Sequence, residues 1–233
     1  MATGKDGPLQ GVSSMATGNA LAELVDVYGL RSGQSVVVEM VGGVEAARRV
    51  QAGEALDFVV LASEAIDKLI ATGRVDSRRI AFARCGVVIA VRAGATRPDI
   101  ADEAAVRDAV LRARSVGYST GPSGTHIVRL LERWGIADTI ASRIVHAPPG
   151  VPVGKLVARG EVELGFQQLA EMLHLPGIDI VGPLPPEVQL VTIFSAGVCT
   201  GSMRPEAATA LLGFLASPDA EVVKRRHGLE PAG

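Results

Sequence analysis

The chain has 233 residues, of which 48% are hydrophobic and 21% are charged, and its formal net charge is −2. This composition is typical of a compact globular protein and excludes a largely disordered chain. The near-neutral charge and the 3% of aromatic residues argue against nucleic acid as a partner, because such sites need basic patches and stacking rings. No apolar run reaches the roughly 18 to 20 residues of a membrane helix, so no membrane insertion is expected.

The first 84 residues alternate strand patterns with helix patterns. Strands are predicted at 9–13, 35–40 and 57–61, and a helix follows each of them. Gly29 is expected to end the first helix. A strand–helix order repeated in this way indicates a parallel sheet with helices on both faces.

Two long apolar strands, at 85–91 and 188–198, bracket a second α/β segment. They suggest that the chain crosses twice between two lobes, so lobe one comprises 1–84 plus 190–233 and lobe two comprises 85–189. The predicted fold is therefore two-lobed α/β, with two mostly parallel sheets flanked by helices and a cleft between the lobes. The remaining predicted elements are strands at 115–119, 144–146, 162–167 and 178–181 and helices at 104–113, 125–134, 153–159, 205–215 and 218–227.

The cysteines and the N-terminal residues bear on the compartment. Cys85 and Cys199 lie in apolar stretches and are expected to be reduced and buried. Residues 1–10 are polar and lack the apolar core of a secretory signal. The sequence as written is therefore expected to be cytoplasmic, or periplasmic if a leader has been removed.

Glycine, serine and threonine are concentrated where predicted strands lead into helices. Helix N-termini there offer free N–H groups and the positive end of the helix dipole, hydroxyls add donors, and glycine lets a ligand approach the backbone. This pattern predicts a site for a small anion, although serine and threonine at any one junction also serve as plain helix caps. The candidate ligand-binding residues on this reasoning are Ser13, Ser14, Gly42, Gly43, Ser119, Thr120, Ser123, Gly124, Thr125, Gly150 and Val151.

Two side chains beside these junctions are candidate catalytic bases. His126 lies in the first turn of its predicted helix, and Glu45 lies beside Gly43. The four histidines and two cysteines show no metal-ligand spacing, so no metal and no cofactor is expected.

A serine hydrolase is a remote alternative. Residues 117–121 match the G-x-S-x-G pattern around Ser119, with Asp179 and His227 later in the order that such enzymes use. Pro122 delays the helix that should follow the serine, and no oxyanion loop of the His-Gly-Gly-Gly type is present. Ser119 is therefore not expected to act as a nucleophile.

Segments along nearly the whole chain resemble the molybdate-binding periplasmic proteins. The segments that carry the resemblance are Ser13-Ser14, residues 47–53, 57–63, 156–161 and 164–166, and the C-terminal 228–231. The resemblance implies a type II periplasmic-binding-protein fold, and a permease partner if the protein is exported.

Carried over residue by residue, the family's ligand contacts change in two places. Its first serine matches Ser13 or Ser14, but its second serine falls on Gly42 or Gly43, and its tyrosine matches Gln167 or Gln168. Amide donors and an opened glycine site suit a ligand larger than a tetrahedral oxyanion, such as a di- or tricarboxylate. The leading hypothesis is thus a solute-binding-type protein that closes around a small anion. The alternative is an enzyme like the related aconitate isomerases, which interconvert trans- and cis-aconitate by an allylic proton shift.

Overall fold

The structure, a computed structural model, describes residues 7–148 and 150–232. The described residues up to Arg84 and those from Ile193 form one compact unit, called unit 1 below, and Cys85–Thr192 forms unit 2. The chain therefore passes between the units after Arg84 and again after Thr192. The sequence places the second passage earlier, after residue 189.

Strands and helices alternate through most of the chain. The strands are β1 (Leu9–Ser14), β2 (Val36–Val41), β3 (Phe58–Ala62), β4 (Ile80–Arg92), β5 (Val116–Tyr118), β6 (Ile144–His146), β7 (Leu164–Gln168), β8 (Ile178–Pro183), β9 (Val191–Val198) and β10 (Glu230–Pro231). The helices are α1 (Met15–Ser32), α2 (Gly43–Gln51), α3 (Ser63–Ala71), α4 (Glu103–Arg112), α5 (Pro122–Arg133), α6 (Ala137–Ile140), α7 (Val153–Ala158), α8 (Leu169–Met172), α9 (Pro205–Leu215) and α10 (Glu221–Arg226).

In unit 1, β1 pairs in parallel with both β2 and β3. Buried apolar side chains on these strands and on α3, among them Val12, Val59 and Ile66, form the core between sheet and helices. β9 runs antiparallel to β3, because it returns from unit 2. The predicted parallel α/β core is thus confirmed, with an antiparallel strand added beside it.

Unit 2 also has three parallel strands with antiparallel strands beside them. β5 pairs in parallel with β6 and with β7, and β7 and β8 pair antiparallel with the long strand β4. Ile89, Phe166 and Leu130 are among the buried side chains that fill its largest core. Because the carboxyl ends of parallel strands lie at one edge of a sheet, the loops after β5, β6 and β7 share an edge in this unit.

Among the helix boundaries that differ from the prediction, two have a clear physical reason. α1 continues through Gly29 and ends only at Gly33, whose positive φ of 73° closes the helix with a hydrogen bond from its N–H to the Gly29 carbonyl. Glycine inside a helix costs about 1 kcal/mol relative to alanine, which the buried face of α1 outweighs. α5 begins at Pro122 rather than Thr125, because proline is pre-set for the first helical position.

Other local predictions can be compared directly. α9 spans the predicted residues, and Ser217 precedes a short 3-10 turn that begins at Pro218. Cys85 and Cys199 are buried thiols, as expected. Every described helix is too short or too polar to span a bilayer.

Candidate functional site

Unit 1 gathers hydroxyls and helix N-termini at the carboxyl ends of its parallel strands. Ser14 ends β1 and is the N-cap of α1, while Ser13 precedes it on the strand. The Ser13 hydroxyl is fully buried and lies 2.5 Å from Thr17 Oγ1, and Thr17 Oγ1 donates to the Ser14 carbonyl at 3.2 Å. The Ser13 hydroxyl therefore already has a hydrogen-bond partner within the chain. Sequence reasoning missed Thr17, although it lies one helical turn from Ser13.

Ser14 is the freer of the two predicted serines. Its hydroxyl makes no cap hydrogen bond, and its one side-chain contact is with Thr17 Oγ1 at 3.5 Å. Gly43, the first residue of α2, lies next to it: a Cβ at Gly43 would be 3.7 Å from the Ser14 Cβ. The first hydrogen bond of α2 runs from Ala46 N to the Gly42 carbonyl, so the N–H groups before Ala46 have no helical acceptor. The structure thus brings Ser14 together with free backbone donors.

Unit 1 also contains a cluster of two hydroxyls and one arginine that sequence reasoning missed. Ser63 begins α3 directly after β3, and its hydroxyl lies 2.7 Å from that of Ser195. Arg79 donates to Ser195 Oγ at 2.9 Å and also pairs with Asp67 at 2.6 Å. The long sequence separation between Ser63, Arg79 and Ser195 explains why no local pattern revealed the group.

Glu45 is poorly suited to act as a base. Arg48 donates two hydrogen bonds to its carboxylate, at 2.8 and 2.6 Å, and these bonds hold the pKa of Glu45 below its usual value. A carboxylate that binds a proton less readily is a weaker base.

In unit 2 the loop after β5 leads directly into the predicted anion site. Ser123, in the first turn of α5, is buried and its hydroxyl lies 3.4 Å from Ser119 Oγ. The first helical bond of α5 joins Thr125 N to the Gly121 carbonyl, which leaves the N–H groups of Ser123 and Gly124 without helical acceptors. Thr120 and Thr125 have exposed side chains.

His126 has a partner on the neighbouring segment. Its Nε2 lies 2.7 Å from the Val188 carbonyl oxygen, which can only accept, so Nε2 carries the proton. In the neutral ring the basic nitrogen is then Nδ1.

The residues of the serine-hydrolase alternative have other partners: the Ser119 hydroxyl contacts that of Ser123, and His227 Nε2 lies 2.8 Å from Glu23 Oε2.

The loop before α7 contributes less than predicted. Gly150 adopts a positive φ of 76°, and the Val151 N–H donates to the Pro148 carbonyl at 3.0 Å. The Val151 donor is therefore used within the turn, whereas Gly150 is exposed.

The two predicted glutamines are consecutive on β7, and their side chains form hydrogen bonds with different neighbours. Gln167 Oε1 accepts from the Val153 N–H at 2.7 Å, and its Nε2 donates to Glu171 Oε1 at 2.7 Å. Gln168 Nε2 donates to Thr192 Oγ1 at 2.9 Å, while its Oε1 is buried without a hydrogen-bond partner among the described residues. Buried acceptors are rarely left unpaired, which keeps Gln168 among the candidate ligand contacts.

Glu171 is the most perturbed carboxyl at this edge. It lies on α8, directly after β7, and is only partly exposed. Burial raises its pKa to about 7, against the opposing effect of the Gln167 hydrogen bond. Sequence reasoning missed Glu171, although its spacing of four residues from Gln167 was visible.

Comparison with known proteins places the chain in a family. The family model of bacterial extracellular solute-binding proteins matches residues 9–230. The chain belongs to this family. An aconitate isomerase from a Pseudomonas species is 40% identical over 184 residues, which cover 78% of this chain and 70% of that protein.

Solved structures of solute-binding proteins share the fold. The periplasmic molybdate-binding protein of Azotobacter vinelandii superposes with a TM-score of 0.78 at 20% identity, covering 95% of this chain and 98% of that one. The sulfate-binding protein SubI of Mycobacterium tuberculosis gives 0.77 at 16% identity, covering 97% and 87%. The predicted resemblance and the type II periplasmic-binding-protein fold are confirmed.

The titration of Glu171 predicts how the stability of this solute-binding protein depends on pH. Its folded-state pKa of about 7 lies above the ordinary glutamate pKa of 4.5, so between these values the folded state binds more protons than the unfolded state. The free energy of unfolding should therefore fall, by about 1–3 kcal/mol, as the pH rises through this window. In Glu171→Gln this decline should disappear.

Urea denaturation at several pH values between 5 and 8 measures this decline. Glu132→Gln removes an exposed carboxylate of the same unit and should leave the wild-type pH dependence unchanged. Parallel pH profiles for the wild type and Glu171→Gln would show that Glu171 titrates normally.

Proposed function

We propose that this protein binds a small di- or tricarboxylate through donors at the carboxyl ends of its parallel strands. The observation that carries the proposal is the open space beside Ser14. A Cβ at Gly42 would meet no described atom within 4 Å, and a Cβ at Gly43 would make only ordinary contacts. Where a serine would close a site around a tetrahedral oxyanion, the glycines leave room for a larger ligand.

The donors of unit 1 suit a carboxylate. Ser14 offers an uncommitted hydroxyl, and the first turn of α2 offers free N–H groups at the positive end of its dipole. The Arg79 guanidinium, which pairs with Asp67 and donates to the Ser195 hydroxyl, is a further positively charged donor in the same unit. A ligand with several carboxylates gains from such charge more than a neutral solute does.

Gln168 adds a switchable donor in unit 2. The Thr192 hydroxyl can donate as well as accept, so a half-turn of the Gln168 amide would let Thr192 donate to Oε1. The same turn would remove the unpaired acceptor and present Nε2 to an anion. An amide that gains a partner by turning toward a carboxylate supports ligand binding at this edge.

The test is a titration with two ligand classes, followed by thermal unfolding and calorimetry. Citrate, cis-aconitate and trans-aconitate should raise the melting temperature, because a ligand that binds only the folded state stabilises it. Molybdate, tungstate, sulfate and phosphate should have much smaller effects. Submicromolar molybdate binding with no response to the polycarboxylates would reject the proposal.

Gly43→Ser tests the role of the open space directly. A Cβ at Gly43 would lie at ordinary contact distance from Ser14 and Leu61, so the free energy of unfolding should change by less than about 0.5 kcal/mol. Polycarboxylate affinity should fall about tenfold, a loss of about 1.4 kcal/mol, because the hydroxymethyl group occupies ligand space. Gly201→Ser, at another open position of unit 1, is the matched control and should bind normally. Equal affinities for the two variants would contradict the assignment.

A second candidate function is isomerisation of a polycarboxylate. The observation that favours it is the 40% identical relative, whose name is aconitate isomerase. Such a reaction needs a base that titrates near neutral pH, together with carboxylate donors that orient the substrate. Unit 2 has a carboxyl of this kind, since burial raises the pKa of Glu171 to about 7, and it has backbone N–H donors at Ser123 and Gly124.

The proposal includes the compartment in which either function would take place. The family is described as extracellular, which favours a role outside the cytoplasm. A permease would then be the natural protein partner for a binding function, and an isomerase would need none.

A further inference from the structure

Arg79 is held in one orientation by three hydrogen bonds. Its Nε and Nη2 donate to the two carboxylate oxygens of Asp67 at 2.6 and 3.4 Å, and its Nη1 donates to Ser195 Oγ at 2.9 Å. A guanidinium has five N–H groups, so one on Nη1 and one on Nη2 remain. Neither has an acceptor among the described residues, and the side chain is 35% exposed. The guanidinium can therefore still donate to an anion.

The two hydroxyls beside Arg79 have no proton left for a ligand. Ser63 Oγ donates to the Ile193 carbonyl at 3.1 Å, so in its 2.7 Å contact with Ser195 the Ser195 hydroxyl is the donor. Ser195 in turn accepts from Arg79. The bonds thus run in one direction, from Arg79 through both serines to a carbonyl. Among these three side chains, Arg79 is the one that retains free N–H donors.

The Arg79 cluster and Ser14 lie on the same face of the unit 1 sheet. The parallel register of β1 and β3, continued by one residue, places Ser14 beside Leu61, and Leu61 is paired with Ser195 on β9. The surroundings of Gly43 agree, since a Cβ there would lie 3.7 Å from Ser14 Cβ and 3.9 Å from Leu61 Cδ2. Paired residues point to the same face, and Ser14 and Ser195 are two strand spacings apart, about 10 Å.

We propose that Arg79 binds a second carboxylate of the ligand, while Ser14 and the free N–H groups of α2 bind the first. Asp67 and Ser195 are positioning residues that orient the guanidinium. The inference rests on the polycarboxylate binding proposed above and names the feature of the ligand that is selected. Hydrogen bonds of about 3 Å at each end still leave several ångströms between the accepting oxygens. A ligand with two carboxylates separated by a few carbon atoms spans this gap, whereas a tetrahedral oxyanion or a monocarboxylate reaches one end.

Two other arginines of the same face are less suitable. Arg48 pairs with Glu45, and Arg49 pairs with both Glu39 and Glu54. Both arginines lie in the last turn of α2, at the opposite end of that helix from its free N–H groups. Arg79 instead bonds to Ser195, whose strand neighbour Leu61 is also the neighbour of Ser14.

The experiment compares trans-aconitate with crotonate, which has the same four-carbon backbone and one carboxylate instead of three. Affinities of the full-length protein are measured by calorimetry and, for weak binding, by NMR titration. The wild type should bind trans-aconitate at least about 100-fold more tightly than crotonate. In Arg79→Gln this ratio should fall at least about tenfold, the size of one charge-assisted contact, and citrate affinity should fall by the same factor.

Arg31→Gln is the matched control. Arg31 pairs with Asp219 in the last turn of α1, so this variant also removes one positive charge from an exposed ion pair of unit 1. It should keep the wild-type ratio. Arg79→Lys keeps the charge but not the planar fork, so its ratio should lie between those of the wild type and Arg79→Gln. This variant also keeps the test decisive if Arg79→Gln folds poorly.

Asp67→Ala separates positioning from simple charge. By charge alone, the loss of a carboxylate should strengthen the binding of an anion. If Asp67 orients Arg79, trans-aconitate should instead bind about three- to tenfold more weakly, at a melting temperature within about 3 °C of the wild type, because an exposed ion pair adds little stability. Asp67→Asn, which still accepts from Nε, should recover part of the affinity. Tighter trans-aconitate binding by Asp67→Ala would contradict positioning.

The failure of this inference is distinguishable from the failure of the proposed function. A wild-type ratio in Arg79→Gln, or equal losses in Arg79→Gln and Arg31→Gln, would reject the second carboxylate site and leave polycarboxylate binding intact. A wild type that responds to neither citrate nor the aconitates would reject the proposed function and the role of Arg79 with it.

Discussion

Asp57→Ala is expected to lower the free energy of unfolding by about 3–5 kcal/mol, as is typical when one partner of a buried ion pair is removed. Asp57 is only 5% exposed. Its carboxylate accepts hydrogen bonds from the Gln10 N–H at 2.8 Å, from Ser202 Oγ at 2.6 Å and from Arg204 Nη2 at 2.8 Å. Removing it leaves the Arg204 charge and two further donors without their acceptor.

The hydrogen bonds of Asp57 join separate segments of unit 1, so its removal should destabilise the unit as a whole. Gln10 belongs to β1, Asp57 leads into β3, and Ser202 and Arg204 lie between β9 and α9. Arg204 also donates to the Pro8 carbonyl at 2.7 Å. One carboxylate therefore ties the first strand of unit 1 to the segment that returns from unit 2.

Urea denaturation provides the measurement, with two comparison variants. Asp57→Asn keeps an acceptor but loses the charge, so an intermediate loss of about 2 kcal/mol is expected. Asp219→Ala breaks the Arg31–Asp219 pair, in which both side chains are more than half exposed, and should cost no more than about 1 kcal/mol. A loss below 1 kcal/mol for Asp57→Ala would show that the network is not structural.

The parts of the fold that local patterns encode were predictable from the sequence. Apolar periodicity located the strands and helices that alternate around β1–β3, and glycine and serine at their junctions indicated an anion site. Helix ends were less predictable. Gly29 and Gly33 are both glycines, and only the left-handed conformation of Gly33 ends α1, which the sequence alone does not distinguish.

The contacts of the candidate site that were missed depend on tertiary structure. Arg79 meets Ser195 across 116 positions of the chain, and Gln168 meets Thr192 across 24. Glu171 lies in a helix of four residues, too short for any periodic signal. Its raised pKa results from burial, which residue type and spacing do not report.

Gly124→Ala is expected to have the second large effect, because unit 2 has no room for a side chain there. A Cβ at Gly124 would lie 1.5 Å from the Ser119 carbonyl oxygen and 2.6 Å from the Ser119 carbonyl carbon. Both atoms are backbone, so no rotamer change relieves the clash. The first turn of α5 must move away from the end of β5, at an expected cost of about 2–4 kcal/mol.

The same shift should weaken ligand binding more than tenfold. It separates the free N–H groups of Ser123 and Gly124 from Ser119, and therefore moves apart the donors of the proposed anion site. Calorimetry with citrate and with trans-aconitate, at a temperature where the variant stays folded, separates this effect from instability. Wild-type affinity in a folded Gly124→Ala would remove the β5–α5 junction from the proposed site.

Gly213→Ala is the matched control for the glycine substitution itself. Gly213 lies inside α9, and a Cβ there would meet no described atom within 4 Å. Alanine is the better helix former, so this variant should gain about 0.5–1 kcal/mol and bind normally. Opposite signs for the same substitution in α5 and α9 would show that the close approach of Ser119, rather than helix propensity, requires glycine at position 124. Gly124 would then be required because the β5–α5 junction brings the Ser119 carbonyl against the first turn of α5, where the backbone N–H groups are free.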